Sequence, residues 1–239
     1  MNLNYAAESG TAFEKDHWWV RSRFGMLDRV LAGFHPTDPL RVLEIGCGTG
    51  VNLDYLSSRY GARLAQLIGV DPAAPPSGRP NVRHDIPDQE NFDLILAMDV
   101  LEHVPRPVEL LTQLRSRLKP SGRLLVTVPA FSWLWTAYDV MAHHQKRYAL
   151  KELESELRAA GFDLLECFFL FGALFPFFLI QRLALRWRKA GDARLFRPTA
   201  PWLNGLFYHI TAWESRFWAP KNRWFGSSLV AIARPGATV

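Results

Sequence analysis

Cysteine is almost missing from this chain. There are two, Cys47 and Cys167, far apart in sequence. That excludes a disulfide framework and suits a reducing compartment. The opening MNLNYAAESGTAFEKD has no basic region followed by an apolar one, so no signal peptide is expected and the cytoplasm is the expected location. The uncharged run Cys167 to Ile180 is too short to span a bilayer, which takes about 20 apolar residues. His143 and His144 have no cysteine or carboxylate cluster near them in sequence, and adjacent histidines do not easily face one ion, so no metal site is expected. The third glycine of the dinucleotide fingerprint G-x-G-x-x-G is also missing, because Val51 stands in its place.

What the chain has in excess is aromatic and local. Nine tryptophans and sixteen phenylalanines are many for 239 residues. The net charge of +5 is concentrated between Arg182 and Arg223, where nine basic side chains face only Asp192 and Glu214. That segment is +7, which leaves the rest of the chain about −2. Trp187, Trp202, Trp213 and Trp218 lie in it, and Trp224 follows at once, so the basic excess needs a local cause.

The organising stretch is RVLEIGCGTG, Arg41 to Gly50. Arg41 to Ile45 reads as a buried strand, the glycines as a tight turn open to a ligand, and Val51 as the start of a helix. Strand, glycine turn and helix form the nucleotide-cradling corner of an open α/β sheet. The strands that follow are read at Leu64–Val70, Asn81–Ile86, Phe92–Met98, Arg123–Val128, Phe162–Leu170 and Ser227–Arg234. Helices are read from about Phe13 to Phe34 behind a Thr11–Glu14 capping box, from Pro107 to Lys119, and from Leu150 to Ala160 with Gly161 closing the last. Pro120-Ser-Gly122 reads as a turn, and Pro72–Pro80 and Ala130–Arg147 read as loops.

The segments E-x-G-x-G-x-G, FDLILAMDVLEHV and KPSGRLLVTVP together resemble the class I S-adenosylmethionine-dependent methyltransferases. The resemblance covers roughly residues 40–170 and 226–235. It implies a Rossmann-like α/β sheet of seven strands in the order 3-2-1-4-5-7-6, with strand 7 antiparallel. It divides the chain into a helical cap or lid (1–36), the methyltransferase core (37–170), a basic, aromatic-rich helical insertion between strands 6 and 7 (171–225), and the last strand and tail (226–239). S-adenosylmethionine is the implied cofactor. Glu44, Gly46, Cys47, Gly48 and Asn52 would form its corner, with Asp71 on the ribose hydroxyls. Asp85 and Ile86 would take the adenine, Met98 and Asp99 would sit beside the sulfonium, and Trp19 and Arg23 of the leading helix would cover the methionine end. His103, His143 and His144 are the candidate bases.

No N-P-P-Y-type signature follows the fourth strand, which points away from amino methylation of adenine or glutamine. The expected acceptor is a small or lipid-linked molecule, methylated on oxygen or carbon. A non-catalytic methyltransferase-like scaffold and an RNA-modifying methyltransferase are the alternatives, although no RNA-binding module flanks the core and a nucleic-acid partner is not expected. In the insertion, one helix is read from Pro176 to Lys189 and another over Pro201–Phe217. Basic charge with Trp and Phe is the composition of an interfacial segment, so 171–225 is expected either to dock on a membrane surface at the cytoplasmic face or to pack on the sheet or on the second subunit of a homodimer.

Overall fold

The computed structural model describes residues 15–33, 39–72, 79–88, 91–185 and 199–237. The Thr11–Glu14 box, Phe34 and residues 186–189 of the first insertion helix lie outside them, as do residues 73–78 of the proline-rich loop. Its strands are β1 (Leu40–Ile45), β2 (Leu64–Val70), β3 (Val82–Arg83), β4 (Phe92–Met98), β5 (Leu118–Pro129), β6 (Phe162–Leu170) and β7 (Ser228–Pro235). They form one seven-stranded sheet in the order β3-β2-β1-β4-β5-β7-β6. β1 to β5 pair in parallel, and β7 runs antiparallel between β5 and β6.

The helices are α1 (Trp18–Ala32), α2 (Val51–Tyr60), α3 (Pro107–Ser116), α4 (Ala137–Met141), α5 (Leu150–Ala159), α6 (Phe175–Leu185) and α7 (Pro201–Phe217). A strand's side chains alternate between its faces, so each central strand feeds two cores. Leu43, Ile95 and Val126 face α3 and α5 in one core, with Leu111, Leu114, Leu153 and Leu157. Val42, Leu96, Leu125 and Val230 face the other way, against Trp18, Met26, Leu27 and Leu31 of α1 and Phe207 of α7. All seven residues of β4 are buried, as a strand covered on both faces requires.

Both the leading helix and the insertion therefore lie on one side of the sheet. Trp18 joins them: its ring stacks on Phe178 at 5.5 Å and meets Phe171 and Phe207 edge-on at 5.4 and 5.7 Å. Polar contacts add to this. Asn204 Oδ1 accepts from Trp18 N at 2.7 Å, and the Ser22 and Thr211 hydroxyls are 2.5 Å apart. Burying a side chain of this size contributes about 2–3 kcal/mol.

Three expectations change. The helix read to Lys119 ends at Ser116, and the 120–122 turn lies within β5. Pairing jumps from Phe92↔Leu118 to Leu94↔Arg123, so the ladder is interrupted over residues 119–122. β3 is two residues long, so the strand read over Asn81–Ile86 stops before Asp85. Finally, the segment read as the loop 130–147 contains the short helix α4, with Thr136 and Asp139 forming a capping box.

Candidate functional site

The ligand corner is built where β1 stops. Gly46 has φ +67° and donates its N–H to Val70 O at 2.7 Å. A Cβ there would stand 2.7 Å from Cγ2 of Val100, so no other residue fits without a shift. Gly48 has φ +52° and donates its N–H to Oδ2 of Asp71 at 2.9 Å. Space is open beside Gly48, where a ligand can approach the backbone. The acid at the tip of β2 is thus tied to the glycine turn.

Behind the turn, Asn52 in the first turn of α2 donates to Glu44 Oε1 at 2.6 Å. Both side chains are buried. Burial pushes the Glu44 carboxyl up to about 7, although the Asn52 bond and the Arg23 charge oppose it. Glu44 Oε2 and Asn52 Oδ1 are buried acceptors without a hydrogen-bond partner. A buried pair of unmatched acceptors beside an open glycine turn fits a nucleoside-like ligand that carries donors. Burial also pushes the Cys47 thiol up to about 12, so it is no nucleophile near neutral pH.

On the far side, β4 ends at Met98, and Asp99 follows with φ +57°. Arg23 of α1 reaches both: Nη1 is 3.2 Å from Asp99 Oδ2, and Nη2 donates to Met98 O at 3.2 Å. The guanidinium lies 4.6 Å from the Trp19 ring centroid. Trp19, Arg23, Met98 and Asp99 therefore meet, and Asn52 Nδ2 approaches the Met98 sulfur at 3.9 Å. Trp18 points away into the core instead. Asp85 does not join the group through a strand tip. It is exposed in the bend past β3, while Ile86 is half-buried against the core.

The three histidines separate clearly. His144 Nδ1 is 2.9 Å from Oδ1 of Asp139. Asp139 is fully buried, and the same oxygen accepts Arg147 Nε at 2.7 Å. Its Oδ2 accepts Thr136 N at 2.8 Å and Arg182 Nη1 at 3.0 Å. Burial works against charge on Asp139. The bonds from His144, Arg147, Arg182 and Thr136 overcome it and hold the carboxyl well below the usual carboxylate range. Facing an ionised acceptor, His144 must carry its proton on Nδ1, so in the neutral ring Nε2 keeps a lone pair.

His103 stands edge-on to His144 with ring centroids 4.9 Å apart. Burial lowers it to about 4, so it is neutral in ordinary buffers. His143 is exposed, has φ +56°, and offers its carbonyl to His103 Nδ1 at 3.3 Å. Gln145 N donates to Glu102 O at 2.7 Å and so fixes the loop to the turn after β4. Glu102 is buried, with neither carboxylate oxygen hydrogen-bonded, and burial raises its pKa well above the usual value. Glu102, His103 and His144 each offer a ligand atom within 4.8 Å of the others. In space, then, Glu102 stands beside two histidines, and they are His103 and His144 rather than the adjacent pair His143 and His144.

Comparison with known proteins agrees with this geometry. A family model described as a methyltransferase domain matches residues 20–167. The chain belongs to that family. Its sheet is that of the class I S-adenosylmethionine-dependent methyltransferases. The domain is 36% identical over 109 residues to a ubiquinone biosynthesis O-methyltransferase of Bradyrhizobium diazoefficiens, covering 39% of this chain and 42% of that protein. A Rhodopseudomonas palustris protein of the same name is 28% identical over 181 residues, or 64% of this chain and 67% of the relative. The best-matching stretch thus spans about two fifths of such a relative's length. Among solved structures, a chain of the Haloferax volcanii complex between the Trm112 activator and a methyltransferase superposes with a TM-score of 0.59 at 18% identity, covering 99% of this chain and 96% of that one. A Burkholderia thailandensis 1,6-didemethyltoxoflavin-N1-methyltransferase with bound S-adenosylhomocysteine gives 0.50 at 18% identity, covering 91% and 79%.

Three residues of the candidate site were not singled out from sequence. Asp139 and Arg182 are far apart in the chain and meet only in the fold. Their one local signal was the capping pattern T-x-x-D at 136–139. Arg79 pairs with Asp54 at 2.8 Å, and its Nη1 stands 2.9 Å from where a Gly50 Cβ would be, so it lies over the glycine turn.

Proposed function

We propose that the chain is an S-adenosylmethionine-dependent O-methyltransferase acting on a hydroxyl of a small, ring-bearing or lipid-linked acceptor. The observation that carries this reading is the Asp139–His144 pair beside the turn that follows β4. A hydroxyl nucleophile gains from a general base, and His144 Nε2, which lies 4.0 Å from Glu102 Oε1, would take that role. The O-methyltransferase name of the partial relatives supports the same acceptor atom.

The glycine turn, Asp71, Glu44, Asn52, Met98 and Asp99 would hold the cofactor, with Arg23 and Trp19 on its open side. Bound there, S-adenosylmethionine supplies an electrophilic methyl group that needs no further activation. The protein's own work is then alignment and proton removal. Arg23 holds Asp99 and the end of β4 in place. Asp139 fixes the tautomer of His144 and stabilises the charge the ring gains when it takes the acceptor's proton; it is a positioning residue. Phe131, Phe169, Trp133 and Phe175 form a ladder of rings past the end of β5, with Phe131 stacked on Phe169 at 5.0 Å. That wall suits an apolar or aromatic acceptor.

Calorimetry with S-adenosylmethionine and with NADH tests the cofactor half. Binding of the former alone is expected; tight binding of NADH alone would overturn the reading, and binding of neither would leave a non-catalytic scaffold.

A further inference from the structure

The α7 helix is amphipathic the wrong way round for a helix that faces water. Its exposed residues Trp202, Leu206, His209, Trp213, Arg216 and Phe217 fall at i, i+4, i+7, i+11, i+14 and i+15, which is a single stripe. The inward side holds Phe207, but also Thr211 and Glu214, both fully buried. Glu214 spends its carboxylate on the backbone, accepting Gly172 N at 2.7 Å and Ala173 N at 3.1 Å. The larger apolar side chains are thus left outside: Trp202 is 73% exposed, Phe217 61% and Trp213 56%. α6 does the same with Phe177, Ile180 and Leu183, and Ile180 is 69% exposed. Trp224, after α7 in the chain, is also exposed.

Scattered exposed apolar residues need no explanation, but two adjoining helices that each also expose several large apolar side chains do. The helices are in contact, since the Phe177 and Phe207 rings are 5.0 Å apart. Charge decides the occupant. In sequence, residues 186–197 between the helices carry Arg186, Arg188, Lys189, Arg194 and Arg197 against Asp192 alone. Arg216 lies within the α7 stripe and Lys221 is exposed just past it. A second copy of this face would bring like charge against like charge. Tryptophan, phenylalanine and leucine flanked by cations instead complement an anionic lipid surface, where the rings enter the headgroup boundary and the cations meet phosphate. No helix among the described residues is long and apolar enough to cross a membrane.

We propose that the outward faces of α6 and α7 dock this protein on an anionic membrane surface. This deepens the lipid-linked acceptor reading, and it connects to the site. Arg182 of α6 is half-buried and holds Asp139, the carboxylate behind His144. The turn of α6 that exposes Ile180 and Leu183 therefore also holds the acceptor loop, through Arg182 between them.

The test is vesicle flotation of the full chain, which needs no turnover and so stands apart from the catalytic reading. Protein is mixed with vesicles of phosphatidylcholine alone, or of phosphatidylcholine with phosphatidylglycerol. Flotation with the anionic vesicles only is expected, with affinity rising about fivefold for each Lys or Arg engaged and falling with added salt. The Trp202→Ser/Trp213→Ser/Phe217→Ser variant, with its melting temperature and cofactor affinity measured alongside, should lose at least about tenfold in vesicle affinity. If that variant does not fold, Arg216→Glu/Lys221→Glu should lower the same affinity. A folded parent that stays unbound to anionic vesicles would overturn the proposal. So would a folded variant that floats like the parent, or a parent that fails to float and dimerises through this face in sedimentation.

Discussion

Oδ1 of the buried Asp139 accepts the Nδ1 proton of His144 at 2.9 Å, and this bond makes one of three candidate histidines different from the others. The first prediction rests on it. His144→Ala should lower kcat by about 10²–10⁴, the usual worth of a general base, and leave cofactor affinity unchanged. Asp139→Asn should lower kcat less and shift the pH–rate profile, because the amide no longer enforces the tautomer or supports charge on the ring. His143→Ala should have little effect. Steady-state kinetics across pH, with calorimetry of the cofactor, checks all three. A His144→Ala enzyme with unchanged kcat would remove the base assignment.

Arg23 ties α1 to the end of β4 through Asp99 and Met98. Both partners of the ion pair are largely buried, so removing one leaves an uncompensated charge. Arg23→Ala should cost about 3–5 kcal/mol in denaturant unfolding and weaken the cofactor as well. Arg23→Lys should recover only part of this, because an ammonium cannot serve Asp99 and the Met98 carbonyl in the same geometry.

Glu44 gives a pH prediction with a definite sign. Its carboxyl titrates at about 7 in the fold and at about 4.3 in an unfolded chain. Between those values the folded state holds a proton that the unfolded state has released. This site therefore lowers stability as pH rises from about 4 to about 7 and adds nothing further above that. His103 acts in the opposite sense, because its folded value of about 4 lies below its unfolded one of about 6.5, so it adds stability as pH rises through that window. The measurement is consequently a comparison of variants. Urea midpoints for Glu44→Gln at about pH 5 and pH 8 should decline less than the parent's, and those of His103→Gln should decline more.

Much of this was legible in sequence because it is local. The glycine turn, the buried β4 run and the breaks around β6 and β7 are contiguous patterns, and the family resemblance carried by such segments implied the observed strand order. The bounds of α7, Pro201–Phe217, came from the same helical periodicity. What was hidden depends on distance or on partners. Leu118 was read into the preceding helix because the sequence cannot show that it pairs with Phe92. The three histidines could not be told apart because sequence does not show which of them Asp139 bonds, nor that Arg182 and Glu102 come to the Asp139–His144 pair. The aromatic periodicity of α7 also could not say which way the stripe faces, since tryptophans on an inward face would have given the same pattern.

Asp71 accepts the Gly48 amide, so it is both part of the glycine turn and the acid at the tip of β2. Asp71→Ala should weaken S-adenosylmethionine by at least tenfold, about 1.4 kcal/mol. Asp71→Asn should fall between, since it retains one acceptor oxygen. Calorimetry decides this, and unchanged affinity in a folded Asp71→Ala protein would remove the ribose assignment.

The central claim is methyl transfer to an oxygen atom, and the most direct measurement is mass spectrometry of a reaction between the protein, methyl-labelled S-adenosylmethionine and a cell extract separated into organic and aqueous fractions. The account predicts label in the organic fraction, carried as a methyl ether, and its loss with His144→Ala. Label confined to protein or nucleic acid, or no transfer by a protein that binds the cofactor, would contradict it.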